Sequence, residues 1–307
     1  MRAAFVTALT RLAAKDNRII LLTADLGYAA LEPMAEKFPD RFVNVGVGEQ
    51  NMLGLATGLA EAGFIPYVYS IVTFASMRAY EFFRNGAIVH GLPVRLVGMG
   101  GGLEYGHNGI SHYGLEDVGI MRVQPDLTLV VPADAGQIAG MMDATWNLPG
   151  PVYIRLGKDD RTSVPSLDGR FQLGHVEAVR DGEDVLLISM GAISSVTAAA
   201  ADDLAANEVS CAHLVVSSLN PAPTADLVDA LRRHLLVVTV ESHYVVGGLG
   251  SLVAEVIAEH STRTRLVRCG VPTTPSLVSG SQAAMERASG LSAAQISARV
   301  FGALTNR

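Results

Sequence analysis

Short unbroken apolar runs alternate along this chain with stretches of helical periodicity. Residues 3–14 (AAFVTALTRLAA) repeat their apolar positions at helical spacing, and Ile19 to Leu26 reads as a buried strand. A strand is predicted from Phe42 to Val47, then a helix from Glu49 to about Ala62 and a strand from Ile65 to Val72. A helix from about Ala75 to Val89, a strand from Val94 to Met99 and a Gly-rich loop follow. The strand Leu129–Val131, a helix from about Ala135 to Thr145 and the strand Tyr153–Leu156 complete this part. Between residues 161 and 173 the pattern lapses into a polar stretch with Pro165 and Gly169, which reads as a linker. Beyond it the alternation resumes, with strands at Val185–Met190, Cys211–Val216, Leu235–Glu241 and Leu266–Val271. Helices are predicted at Ser194–Ala206, Ala225–His234, from Gly250 to about Glu259, and near Ala293–Leu304. Arg180-Asp181-Gly182-Glu183 reads as a hairpin turn.

Continuous apolar strands alternating with helices imply sheets that are largely parallel and covered on both faces. The fold class is therefore α/β: two consecutive three-layer α/β/α domains, 1–160 and 174–307, joined by the linker 161–173. Ligands of such sheets sit beyond the carboxyl ends of the strands. Asp25, Glu49, Ser70, the 100–112 loop and Arg155 all fall at or just after such ends, so they are expected to share one edge.

Composition narrows the class. The 307 residues are 49% hydrophobic and 17% charged, with mean hydropathy +0.31. That is apolar for a soluble chain and points to a large core or a surface covered by a partner. A net charge of −7 without basic runs argues against nucleic acid. Met1 leads straight into a helix, no run is long enough to span a membrane, and Cys211 and Cys269 sit in strand-like contexts as reduced core residues. The expectation is a cytoplasmic protein with neither membrane nor nucleic-acid partners.

The chain is organised around Val45-Gly46-Val47-Gly48-Glu49-Gln50-Asn51-Met52, an acid at the mouth of a helix. That helix carries Gly54 and Gly58 on one side, so another surface can approach it closely. Gly100 to Asp117 (GGGLEYGHNGISHYGLED) holds His107, Asn108, Ser111 and His112 in a loop whose glycines let backbone approach a ligand. Its histidines, with no cysteine nearby, make a poor zinc site, and no metal site is expected on this chain. Phe74, at a strand-to-helix junction, can stack on a planar ring or pack in the core. Gly247 to Ser251 can bind an anion at a helix N-terminus, but tight packing is the commoner use of such glycines.

Taken together and in order, these stretches resemble the C-terminal half of transketolases, and most closely the split transketolases in which a separate chain carries the other half. The resemblance rests on RAAFVTALTRLA, TADL, VGVGEQNMLGLATGLAEAG, the Phe74 stretch, NGISHYGLEDVGIMRVQPDLTLVVPAD, PVYIRLG and VESHYVVGGLGS. It implies a pyrimidine-binding domain, a transketolase C-terminal domain, and thiamine diphosphate as cofactor. Glu49 then matches the glutamate that binds the pyrimidine ring nitrogen, and Phe74 the aromatic that stacks on that ring. Asp25 and Ser70 lie beside the cofactor. His112 matches a catalytic histidine that hydrogen-bonds substrate oxygens, and Arg2 and Arg155 match arginines that hold a substrate phosphate. A carboxyl sharing a proton with the ring nitrogen favours the imino form of the neighbouring amino group, which then serves as the base.

Departures from the family pattern fall in the sugar-binding shell. Asn108 stands where an aspartate is usual, Ala29 where a phosphate-binding serine would be, Ile71 where an aromatic is usual, and Gly100 near an expected histidine. The resemblance thus implies two-carbon ketol transfer with altered sugar specificity. The diphosphate- and metal-binding motif is absent, so Mg2+ or Ca2+ and the diphosphate would belong to an N-terminal partner subunit in an α2β2 assembly. Two other readings remain: a beta subunit of a 2-oxo acid dehydrogenase, which typically places His before Ser where this chain has Ser111-His112, or a non-catalytic regulatory subunit.

Overall fold

A computed structural model describes residues 1–274 and 277–305. The first part runs α1 (Arg2–Lys15), β1 (Ile19–Thr23), α2 (Glu32–Lys37), β2 (Phe42–Asn44), α3 (Glu49–Glu61) and β3 (Ile65–Ile71). It continues through α4 (Tyr80–Phe82), β4 (Arg95–Met99), α5 (Asp117–Arg122), β5 (Thr128–Val130), α6 (Gln137–Thr145) and β6 (Val152–Leu156). The second part comprises β7 (Val176–Arg180), β8 (Val185–Met190), α7 (Ser194–Ala206), β9 (Cys211–Val216), β10 (Ser218–Asn220) and α8 (Thr224–Arg233). It ends with β11 (Leu236–Tyr244), α9 (Leu249–Glu259), β12 (Arg265–Val271), α10 (Gln282–Ala288) and α11 (Ala293–Thr305).

The chain is α/β, with two mostly parallel sheets flanked by helices, as the alternation of its apolar runs implies. The seven-stranded sheet has the order β10-β5-β6-β4-β3-β1-β2, and the five-stranded sheet β12-β11-β8-β9-β7. Strands β1, β4 and β6 are buried along their whole length because helices cover both faces. All pairings among β1 to β6 are parallel, so their carboxyl ends lie on one edge. That edge gathers Asp25, Glu49, Ser70 and the 100–112 loop.

Several local expectations are corrected. The strand expected over Phe42–Val47 stops at Asn44, and its outer residues are exposed because β2 is the sheet's edge. The helix expected over Ala75–Val89 is π-helical over Phe74–Arg78, α-helical for one turn, then π-helical again over Phe83–Ile88. Residues 180–183 do not close a hairpin: β7 pairs antiparallel with β9, not with β8. Strand β10 crosses back to pair antiparallel with β5, joining the first sheet from beyond the linker. Three short helices, α2, α5 and α10, went unpredicted because one or two turns show too little periodicity.

The second domain braces the site loop of the first. The Tyr113 hydroxyl donates to the Val278 carbonyl at 2.7 Å, the Gly280 N–H to Gly106 at 3.1 Å, and the Tyr244 N–H to Leu115 at 3.0 Å. Among the described residues no helix is long and apolar enough to cross a membrane.

Candidate active site

Glu49 is the first residue of α3, reached through Gly46 in the left-handed region (φ 72°) and Gly48. Only 1% of it is exposed. Burial of a carboxyl demands partners for both oxygens. Oε1 accepts the Ser70 hydroxyl at 3.0 Å, from the buried end of β3. Oε2 accepts from the Arg78 guanidinium at 2.6 Å, completing an ion pair. Both donors are side chains, and Arg78 is 43% exposed.

Phe74 begins the π-helical segment and is half-buried. The Arg78 guanidinium lies 4.3 Å from its ring centroid. His112 meets it edge-on, with centroids 5.0 Å apart. Burial lowers the pKa of His112 below its ordinary value, so the neutral imidazole prevails at neutral pH. Its Nδ1 faces the Ser111 hydroxyl at 3.0 Å. Beyond His112 stand the Tyr105 ring, at 6.0 Å, and the Lys158 ammonium, 4.3 Å over Tyr105. Carboxylate, guanidinium, phenyl, imidazole, phenol and ammonium thus form one continuous line.

The other residues singled out from the sequence are placed as follows. Asp25, in the left-handed region (φ 55°), accepts from the Asn44 amide at 2.9 Å and the Tyr28 hydroxyl at 2.7 Å. Those bonds hold its carboxyl below the usual range. Arg2 opens α1 and sets its charge near Tyr69 and Tyr105. Asn108 is exposed at the end of a 3-10 turn, its backbone N–H bonded to the Tyr105 carbonyl. His107 is exposed on the same 3-10 turn. Gly100 (φ 79°) lies under Tyr105: a Cβ there would stand 2.1 Å from the ring. The position near an expected histidine is therefore filled by Tyr105, which only glycine at 100 allows.

Arg155 is buried at the end of β6. Its guanidinium is buried, ion-paired with Asp117 at 3.0 Å, and donates to the carbonyls of Gly114 at 2.7 Å and Ser242 at 3.0 Å. Asp117 also accepts the Tyr153 hydroxyl at 2.7 Å. With those bonds made, Arg155 joins the two domains and supports the loop from beneath, while also lining a small cavity between them with Gly101 and Gly191.

Sequence reasoning passed over Arg78, Tyr105 and Lys158. A signal existed for Arg78, which follows Phe74 by one helical turn, where side chains meet. None existed for Lys158, which reaches Tyr105 only through the fold. No grouping of three His, Cys, Asp or Glu side chains suited to a metal occurs among the described residues.

Comparison with known proteins agrees with this architecture. Residues 1–162 match the model of the transketolase pyrimidine-binding domain, and residues 174–296 that of the transketolase C-terminal domain. A putative transketolase C-terminal section from Methanocaldococcus jannaschii is 34% identical, over 88% of this chain and 86% of its own length. The 6-deoxy-6-sulfo-D-fructose transketolase subunit SqwH of Clostridium sp. (strain MSTE9) is 34% identical, over 85% and 81% of the two chains. A solved split-gene transketolase, described as an inactive β4 tetramer, superposes with a TM-score of 0.88 at 35% identity, covering 99% of this chain and 97% of its own. The chain belongs to the transketolase family, with the pyrimidine-binding and C-terminal domains of that family.

Proposed function

We propose that this chain is the pyrimidine-side subunit of a two-chain, thiamine-diphosphate-dependent transketolase, moving a two-carbon ketol unit from a ketose or ketose phosphate to an aldose. The observation that carries the reading is the buried Glu49 carboxyl, held among the described residues by two side-chain donors, beside the half-buried Phe74. The residues fit an aminopyrimidine: Glu49 would meet a ring nitrogen, Phe74 would meet the ring face, and Ser70 fixes the carboxyl's orientation. When bound, the cofactor supplies the nucleophilic carbon that accepts the ketol unit.

The chain's own residues supply the proton handling and the walls. Glu49 would share a hydrogen bond with the ring nitrogen from its buried position at the start of α3. His112, neutral at neutral pH, would hydrogen-bond substrate oxygens from beside Phe74. Asn108 and Arg2, both tied to Tyr105, would meet a sugar and its anionic end. The diphosphate and its Mg2+ or Ca2+ would be held by an N-terminal partner subunit, in an α2β2 assembly. The face around α3 supports that arrangement. Gly54 and Gly58 are exposed with no neighbour against them, and Val47 (77% exposed), Leu55 and Phe82 lie bare nearby.

Reconstitution with the diphosphate-binding chain tests the reading. A ketose donor and an aldose acceptor should exchange two carbons only when both chains are present. Glu49→Gln should lower the rate by about 10²–10⁴-fold. An unchanged rate removes Glu49 from catalysis. Oxidative decarboxylation of a 2-oxo acid with added lipoyl protein would instead assign the chain to the dehydrogenases.

A further inference from the structure

We propose that Arg78 holds the seat of the aminopyrimidine ring and acts as an internal competitor that must leave before the cofactor enters. The inference rests on the reading of Glu49 and Phe74 given above.

A guanidinium is a flat cation with N–H donors in its plane. The ring edge that Glu49 would bind is also flat and would meet the carboxyl through a hydrogen bond in the ring plane. The seat for such a group has two walls: a carboxylate oxygen at its edge and an aromatic face beneath it. Arg78 uses both, donating to Glu49 Oε2 at 2.6 Å while its guanidinium carbon lies 4.3 Å from the Phe74 centroid. Oε1 is turned inward to Ser70. The oxygen left for a ring nitrogen is therefore the one Arg78 holds.

Two features make the guanidinium removable. Glu49 and Phe74 are its only partners among the described residues, and 43% of the side chain is exposed. Rotation into water breaks one ion pair and leaves the surrounding core intact. The backbone beneath it is also unusual. Arg78 closes the π-helical segment Phe74–Arg78, and Ala79 departs from helical geometry (φ −106°, ψ 13°). Such π segments are frequent at functional sites. The ordinary α-helix expected here from the sequence would turn residue 78 to a different angle.

Apparent affinity falls in proportion to the fraction of molecules whose seat is open. If Arg78 occupies the seat in about nine molecules of ten, removing it tightens cofactor binding about tenfold. The rate of binding also carries the signature. When opening must precede binding, the observed rate reaches a plateau at high cofactor concentration.

The experiment uses the chain assembled with its diphosphate-binding partner. Thiamine diphosphate with Mg2+ is titrated by calorimetry, and its binding is followed by stopped-flow circular dichroism. Wild type should show a plateau. Arg78→Ala should bind about tenfold tighter, with a rate that stays linear in concentration. Arg78→Lys keeps the charge but cannot lie flat on Phe74, and should fall between the two. Affinity and kinetics equal to wild type in both variants overturn the proposal. Weaker binding by both overturns it as well and makes Arg78 a direct cofactor contact. If the wild-type assembly binds no thiamine diphosphate, the pyrimidine-site reading fails first, independently of Arg78.

Discussion

Each domain buries a glutamate against a helix N-terminus that follows a glycine turn. In the second domain Glu241, on β11, accepts the N–H groups of Leu249 and Gly250 at the start of α9, each at 2.8 Å. It is fully buried, and burial pushes its carboxyl up to about 7. In the first domain Glu49 is as deeply buried, yet its donors are the side chains of Ser70 and Arg78. Backbone donors at a helix start cannot leave without unwinding the turn. Side-chain donors can rotate away at small cost. A buried carboxyl that must later meet a ligand therefore needs partners of the second kind, and one that locks a fold needs partners of the first.

The largest expected effect is a pair of opposite outcomes. Glu49→Gln should lower transfer activity by about 10²–10⁴-fold while leaving the thermal midpoint nearly unchanged. Glu241→Gln exchanges one acceptor oxygen for an amide that faces backbone N–H groups. It should cost about 1–3 kcal/mol of stability and lower the midpoint by several degrees. Activity per folded molecule should stay within a few-fold of wild type. Melting curves and initial rates on both variants decide the matter, and a reversed pattern breaks the comparison.

A histidine contrast sharpens it. His243 is fully buried, held down to about 4 by that burial, and accepts the Gly119 N–H at 3.3 Å. His112 shifts in the same direction for the same reason, but it lies in the site between Phe74 and Tyr105. Its folded pKa lies below the ordinary value of about 6.5, so protonation begins only as pH falls below that point. The acid limb of kcat/KM should have its midpoint below pH 6.5, with a flat profile above. His112→Asn should remove that limb and lower kcat/KM by roughly tenfold. A limb that persists in the variant transfers the titration to another group.

Much of this architecture was readable in advance. The apolar runs located every central strand because a strand covered on both faces leaves an uninterrupted record. Two of the four edge strands leave none: β7, with one buried position, and the three residues of β10 look like loop, whereas edge strands β2 and β12 carry enough apolar residues to be read. At the site, Glu49, Ser70, Phe74 and His112 were legible from order and spacing, and the fold brings them together. The partners of Arg155 were not legible: its type and place at a strand end suit an anion, and only the contacts show its ion pair with Asp117. Lys158 and Tyr105 meet across distant segments, a contact that no local pattern encodes.

The smallest effect tests the outer end of the site. The Asn108 backbone N–H bonds to the Tyr105 carbonyl at 2.8 Å, while its side chain is exposed and bonds to no other group among the described residues. Asn108→Asp should therefore change stability by no more than about 0.5 kcal/mol. The substitution replaces an amide, which both donates and accepts, with a carboxylate that only accepts. Hydrogen bonds to a charged acceptor are roughly twice as strong as neutral ones. A sugar hydroxyl that donates to this position should thus be favoured over a carbonyl or ether oxygen that accepts from it. The ratio of kcat/KM values for conventional ketose phosphates against other ketoses should rise by about three- to tenfold. An unchanged ratio, with both rates altered alike, would take residue 108 out of sugar recognition and leave selectivity to the Tyr105–Lys158 side.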